Sequence, residues 1–157
     1  MTKHDLLGPV AAICFEPVVA FTVPGKPVGK GRPRAAKRGN HIQLYTPENT
    51  VNYESTVALV ASQAMAGRSP IEGPVEVVMR LVVPVPKSWS KKKQQDALDG
   101  RLLPTTKPDK DNVVKAIFDA MNDIVWRDDV QVVDLTSRKR YGAVPCVQVV
   151  VGTVEAC

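Results

Sequence analysis

Cysteine is scarce in this 157-residue chain: Cys14, Cys146 and Cys157 make an odd number at wide spacing. That count fits neither a disulfide framework nor a zinc site, and it predicts free thiols in a reducing cytoplasm. Long apolar runs are absent. The longest uninterrupted one, residues 10–15, is far too short to cross a bilayer. Glu16 and Pro17 break it, so no secretory leader is expected. No repeat or low-complexity tract divides the chain. Acids are missing from residues 26–38, and glutamate is missing from residues 107–140.

What is present fits one folded domain with a single core. The chain is 44% hydrophobic, and 21 Lys+Arg against 16 Asp+Glu leave a net charge of +5. A basic balance makes a polyanion the first partner to consider. Residues 1–16 read as an N-terminal extension, and residues 17–157 as the folded unit. Residues 18–23 are apolar and β-branched, so they predict a buried strand. Pro24, Gly25 and Pro27 break it. Glycines and prolines then predict a loop over residues 26–38, followed by a short strand at residues 41–45.

Thr46 as N-cap and Pro47 in the first turn open a helix that Gly67 ends. Tyr53, Val57, Val60, Ala61 and Ala64 form its apolar face. Residues 75–85 alternate as a strand, with Val75, Val77, Met79, Leu81 and Val83 on one side. Ser90 caps a short basic helix that stops near Gly100. Residues 111–125 are helical by period, with Val114, Ile117, Phe118 and Met121 as the buried stripe. Residues 126–129 predict a turn, and residues 130–135 and 144–154 two further strands. The pattern predicts an α+β fold in two layers, helices on one face of a mixed sheet.

The chemistry concentrates in the aspartates. Asp109, Asp111, Asp119, Asp123, Asp128, Asp129 and Asp134 lie between Lys107 and Arg140. Aspartate is short and stiff, suited to fixing a hard divalent cation through oxygen. In extended backbone, positions i and i+2 point to one side, which would bring Asp109 and Asp111 together. Lys115 follows Asp111 by one helical turn, on the same face. Each feature also has a plainer reading. Asp111 serves as a helix-terminal acid, Asp111 with Lys115 forms an i,i+4 pair worth about 0.3–0.5 kcal/mol, Asp128 is a turn residue, and Asp119 and Asp123 are solvated. The cations Lys26, Lys30, Arg32, Arg34, Lys37 and Arg38 form a run that repels itself unless an anion neutralises it.

Residues 107–121, with the D-x-D-N-x-x-K pattern formed by Asp109, Asp111, Asn112 and Lys115, resemble the core of RusA-type Holliday junction resolvases. So does the D-D-x-Q pattern of Asp128, Asp129 and Gln131. Residues 23–34, Tyr45-Thr46-Pro47 and residues 86–93 are similar to the phage and prophage branch of that family. The resemblance covers roughly residues 19–151, and its segments are specific together where D-x-D-N alone is weak. One departure is Lys110, where members often carry an apolar residue.

The resemblance implies a small α+β homodimer that cuts four-way DNA junctions with Mg²⁺, or with Mn²⁺ in its place. Asp109, Asp111 and Asp129 fall on the metal-site aspartates and, with Lys115, on the catalytic set. It also implies hydrolysis of a phosphodiester to a 5′-phosphate and a 3′-hydroxyl, in the bacterial host cytoplasm, for a chain of phage or prophage origin. Asp128 should point away from Asp129. Lys26, Lys30, Arg32, Arg34, Lys37, Arg38, Lys91, Lys92 and Lys93 are the expected DNA contacts. Two alternatives stand beside this reading: a metal nuclease of other branched nucleic acids, and a non-catalytic DNA-binding protein.

Overall fold

The computed structural model describes residues 10–157; residues 1–9 of the expected extension lie outside the described residues. The fold is α+β. Strand β1 (Ile13–Pro24) is followed by a ribbon of β2 (Arg34–Arg38) and β3 (His41–Tyr45), then helix α1 (Glu48–Met65) and strand β4 (Val75–Pro84). Helices α2 (Lys91–Leu98) and α3 (Lys110–Met121) come next. A single 3₁₀ turn (Asp129–Gln131) leads into β5 (Val132–Gly142) and β6 (Cys146–Ala156). The main sheet has the order β1-β6-β4-β5; its pairings are antiparallel except for β4 with β5, which are parallel.

Burial explains why these elements form where they do. Val75, Val77, Met79, Leu81 and Val83 are buried on one side of β4, as the period-2 pattern requires. Val147, Val149 and Val151 of β6 and Val19, Phe21 and Val23 of β1 extend that face. Helix α1 closes on it with Tyr53, Val57, Ala61 and Met65, and α3 with Val113, Val114, Ile117 and Met121. Truncating a fully buried side chain such as Ile117 to alanine costs about 2–5 kcal/mol. Ser90 caps α2 as expected, its Oγ accepting from the Lys93 N–H at 3.3 Å.

Several expectations are corrected. Strand β1 begins at Ile13, so residues 13–16 belong to the sheet rather than to an extension. Its pairing with β6 brings Cys14 beside Cys157, with Cα atoms 5.3 Å apart, and the two form a disulfide; Cys146 alone is a free thiol. Three free cysteines were expected because the two partners are 143 positions apart. Residues 34–38, expected as loop, form β2. Helix α3 ends at Met121: Asn122 leaves helical geometry, Asp123 takes a positive φ of 63°, and Trp126 turns inward to donate from its indole N–H to Asn122 Oδ1 at 2.7 Å. Residues 129–131 are a 3₁₀ turn, and the following strand runs on to Gly142. No helix among the described residues is long and apolar enough to cross a membrane.

Candidate active site and nucleic-acid interface

Helix α3 is buried along Val113, Val114, Ala116, Ile117 and Met121, and that fixes where its polar residues go. Asp111 and Lys115 stay exposed on the opposite side, one turn apart. Across from them, the 3₁₀ turn and β5 bring up Asp129 and Ser137. Asp111, Lys115, Asp129, Lys110, Phe118 and Ser137 line one cleft of about 480 Å³. Lys110 Nζ donates to the Ser137 carbonyl at 3.2 Å, tying the start of α3 to the edge strand. No ion pair joins Asp111 to Lys115 among the described residues, so the plain i,i+4 reading is not realised.

Asp109 does not share that cleft. The chain turns helical at Lys110, and successive helical positions are rotated by about 100°, so i and i+2 diverge. The expected extended geometry stops one residue too early. Asp109 instead accepts from the Asn112 amide at 3.4 Å and lines a neighbouring cleft of about 410 Å³ with Lys26, Gly29, Lys107 and Asn112. Among the described residues, no three acidic, histidine or cysteine side chains gather in a metal-ligating cluster.

Electrostatics separates the aspartates. Burial, then hydrogen bonding with and repulsion from Asp128, then Asp119, push the Asp129 carboxyl above its ordinary value. Asp128 is therefore a neighbour of Asp129 and does not point away. Alternation fails because the backbone there is not a strand. Asp128 accepts from the Val130 N–H at 3.1 Å, while Gln131 Oε1 accepts from the Asp128 N–H at 3.1 Å, closing a capping box. Gln131 also donates to the carbonyls of Ile71 and Gly73, both at 2.9 Å, which anchors the turn to the loop before β4.

Asp119, expected to be solvated, pairs with Lys30. Lys30 Nζ lies 2.6 Å from both Asp119 Oδ2 and Glu54 Oε1, joining the segment after β1 to α1 and α3. Burial lowers the Lys30 pKa, but the two carboxylates outweigh it and hold the ammonium above the ordinary lysine value. The Lys30 N–H donates to the Asn112 carbonyl at 2.9 Å. Close approach explains the glycines beside it: a Cβ at Gly31 would stand 2.8 Å from Pro47 Cγ and 2.9 Å from Thr50 Oγ1. Lys30, one of the expected DNA contacts, is engaged in this ion pair in the fold.

The other expected contacts are dispersed. Lys26 stands at the Asp109 cleft. Arg34, Lys37 and Arg38 lie on the exposed β2, and Arg32 just before it. Lys91, Lys92 and Lys93 are exposed on α2, where Lys93 Nζ sits 4.1 Å above the Trp89 ring. Trp89 in turn packs edge-on against Tyr141 at the end of β5.

A third cleft, of about 820 Å³, went unread in the sequence. It continues from Lys110 and Ser137 along β5 and holds Arg138, Lys139 and Arg140. Lys139 Nζ donates to the carbonyls of Thr106 at 2.8 Å and Pro108 at 3.0 Å, bracing the backbone that leads to Asp109. The available signal was the unbroken run Arg138-Lys139-Arg140, hidden by ending the predicted strand at residue 135.

Comparison with known proteins agrees with this assembly of acids and cations. The family model of endodeoxyribonuclease RusA matches residues 24–152. The uncharacterized protein YqaN of Bacillus subtilis (strain 168) is 44% identical over 140 residues, spanning 88% of this chain and 98% of that protein. With a site of aspartates and lysines at the start of α3 and a match over most of its length, the chain belongs to the RusA endodeoxyribonuclease family, whose members are hydrolases acting on DNA.

Proposed function

We propose that this chain is a Mg²⁺-dependent endonuclease of branched DNA that resolves four-way junctions as a homodimer, leaving 5′-phosphate and 3′-hydroxyl ends. The observation that carries the reading is the shared cleft of Asp111, Asp129 and Lys115, flanked by the cations of β5. The donor set fits a hard divalent ion. Mg²⁺ is commonly held by one or two carboxylates, with waters and phosphate oxygens completing its shell. Asp111 and Asp129 supply two from one cleft; Asp109 lines the neighbouring cleft and is proposed as the third acid on the family's D-x-D-N pattern, not on its place in this structure. Burial first, and then the neighbouring Asp128 and Asp119, raise the Asp129 pKa.

When bound, the ion supplies Lewis-acid activation of the phosphate and of a water. The chain's own groups do the rest. The Lys115 ammonium, exposed at the cleft, stabilises negative charge growing on the phosphate oxygens. Lys110 and Arg138 provide cations along the neighbouring groove for the flanking phosphates. Two copies related by a two-fold axis match the symmetry of a four-way junction, so paired cuts fall on opposing strands.

The test is cleavage of synthetic four-way, forked and linear DNA with and without Mg²⁺, with end-group analysis of the products. Paired, Mg²⁺-dependent nicks on the four-way substrate are expected. Equal cutting of linear duplex, or cutting in the presence of a chelator, would overturn the reading.

A further inference from the structure

The β2–β3 ribbon is a separate two-stranded sheet whose ten strand residues are all exposed. Gly39, at φ +65°, sits in the turn that closes it. A lone hairpin is marginally stable in water, and five-residue strands reach only about 17 Å. The ribbon pays this cost while presenting Ile42 at 75% and Leu44 at 69% exposure. Such side chains call for a partner outside the fold.

Register sorts the ribbon into two unlike faces. Cross-strand partners share a face, and faces alternate along each strand. Arg34 pairs with Tyr45 and Arg38 with His41, giving one polar, cationic face. Ala35 pairs with Leu44 and Lys37 with Ile42, giving an aliphatic face rimmed by one lysine. No acid occurs anywhere from residue 26 to residue 47. Charge complementarity therefore selects a polyanion over a second copy of this basic chain. A groove in intact duplex satisfies the cations but leaves two adjacent large aliphatic side chains with little to cover them. Exposed base-pair faces, which branched DNA offers at its crossover, cover them fully, as apolar wedges do when they enter a base step.

Resting on the branched-DNA reading above, we propose that the β2–β3 ribbon is a branch-point probe: Ile42 and Leu44 pack against unstacked base pairs at the junction centre, while Arg34 and Arg38 hold phosphates on either side. The ribbon would thereby supply shape selectivity, which the aspartate cleft has no means to provide.

The experiment measures 2-aminopurine fluorescence at the branch point and, as a control, within an arm of a four-way junction, in chelator so that no cutting occurs. Affinities for junction and for linear duplex are measured alongside. Wild type should raise the signal at the branch only. The double variant Ile42→Gln with Leu44→Gln should lose that rise and bind junctions at least about tenfold more weakly, with duplex affinity and melting temperature unchanged. Arg34→Ala with Arg38→Ala should weaken junction and duplex alike. A double glutamine variant that keeps both the fluorescence rise and the junction preference overturns the probe while leaving the branched-DNA reading standing. A shift of that variant to a smaller species in sedimentation also overturns it, identifying the aliphatic face as a contact between copies. A wild type with no preference for junctions over duplex removes the branched-DNA reading and the probe together.

Discussion

Replacing Lys30 by methionine keeps the length of the side chain and removes its charge, which makes it the sharpest test of how the strap after β1 is held. Lys30 Nζ makes two charge-assisted contacts of 2.6 Å, to Glu54 and Asp119, with its side chain 28% exposed. Hydrogen bonds to charged groups contribute about 1.5–3 kcal/mol each. Partial exposure discounts that, and a net loss of about 2 kcal/mol for the pair is the working figure. For a domain of this size that is a fall in melting temperature of about 4–8 °C. Adding Glu54→Gln and Asp119→Asn to the methionine variant should restore most of the loss, because no unpaired carboxylates then face each other. The pH dependence has a definite sign. The folded-state pKa of Lys30 is raised above 10.5, so its stabilisation is fully present below 10.5 and fades only as pH rises through the higher folded value. The wild-type advantage should thus be flat through neutral pH. Thermal unfolding followed by circular dichroism reads the stability, and duplex affinity at several salt concentrations reads any phosphate contact. An unchanged melting temperature, with a salt slope smaller by about 0.9, would refute the structural role and return Lys30 to the DNA surface.

Asp111→Asn and Asp129→Asn should each abolish Mg²⁺-dependent cleavage while leaving junction binding largely intact, and Asp109→Asn should do the same; gel-based cleavage and binding assays on one junction decide each residue separately. Lys115→Ala should slow single-turnover cleavage by about 10²–10³ with little change in affinity, and normal cutting would reduce Lys115 to a surface cation. Arg138→Ala with Arg140→Ala should flatten the slope of log affinity against log salt by up to about 1.8 and weaken all junction sequences equally. Tyr53→Phe should change the melting temperature by no more than about 2–4 °C, since the buried Tyr53 hydroxyl meets the Val28 backbone but makes no hydrogen bond of good geometry among the described residues; a larger fall would show that the hydroxyl is satisfied in solution.

Burial governs how much of the fold the sequence disclosed. Strand β4 was legible because one face is buried and the other is not, so its side chains alternate in character. The buried stripe of α3 was legible for the equivalent reason at helical period. Strand β2 left no such trace: every one of its residues is exposed, and glycines and cations around it read as loop. The end of α3 was missed because Ile124 and Val125 continue an apolar pattern after the backbone has already turned at Asn122 and Asp123. The capping box of Asp128 and Gln131 was readable from their spacing, yet the valines after it suggested a strand. Cys14 and Cys157 meet only because two long strands pair along their whole length, which local sequence does not encode.

The candidate site shows where identity was legible and geometry was not. The D-x-D-N-x-x-K pattern singled out Asp111 and Lys115, but the angle between Asp109 and Asp111 depends on where the first helical turn begins, a matter of one residue. What the fold adds is an accounting of charge. Asp119 is neutralised by Lys30, and Asp128 accepts from a backbone amide in its cap. Asp111 and Asp129 have no ion-pair partner among the described residues, although Lys110 and Lys115 line the same cleft. Burial, then hydrogen bonding with and repulsion from Asp128, then repulsion from Asp119, moreover raise the Asp129 pKa. Folding gains nothing from charge at this position, since a neutral residue at Asp129 would carry neither the burial cost nor the repulsion. A carboxylate kept at an electrostatic cost, in a cleft, beside an uncommitted lysine, is the arrangement that ligand chemistry rather than stability would maintain. On the proposed function the missing counter-charge is the divalent ion with its DNA phosphate. The same reasoning predicts that Asp129→Asn raises the stability of the protein while removing its cleavage activity.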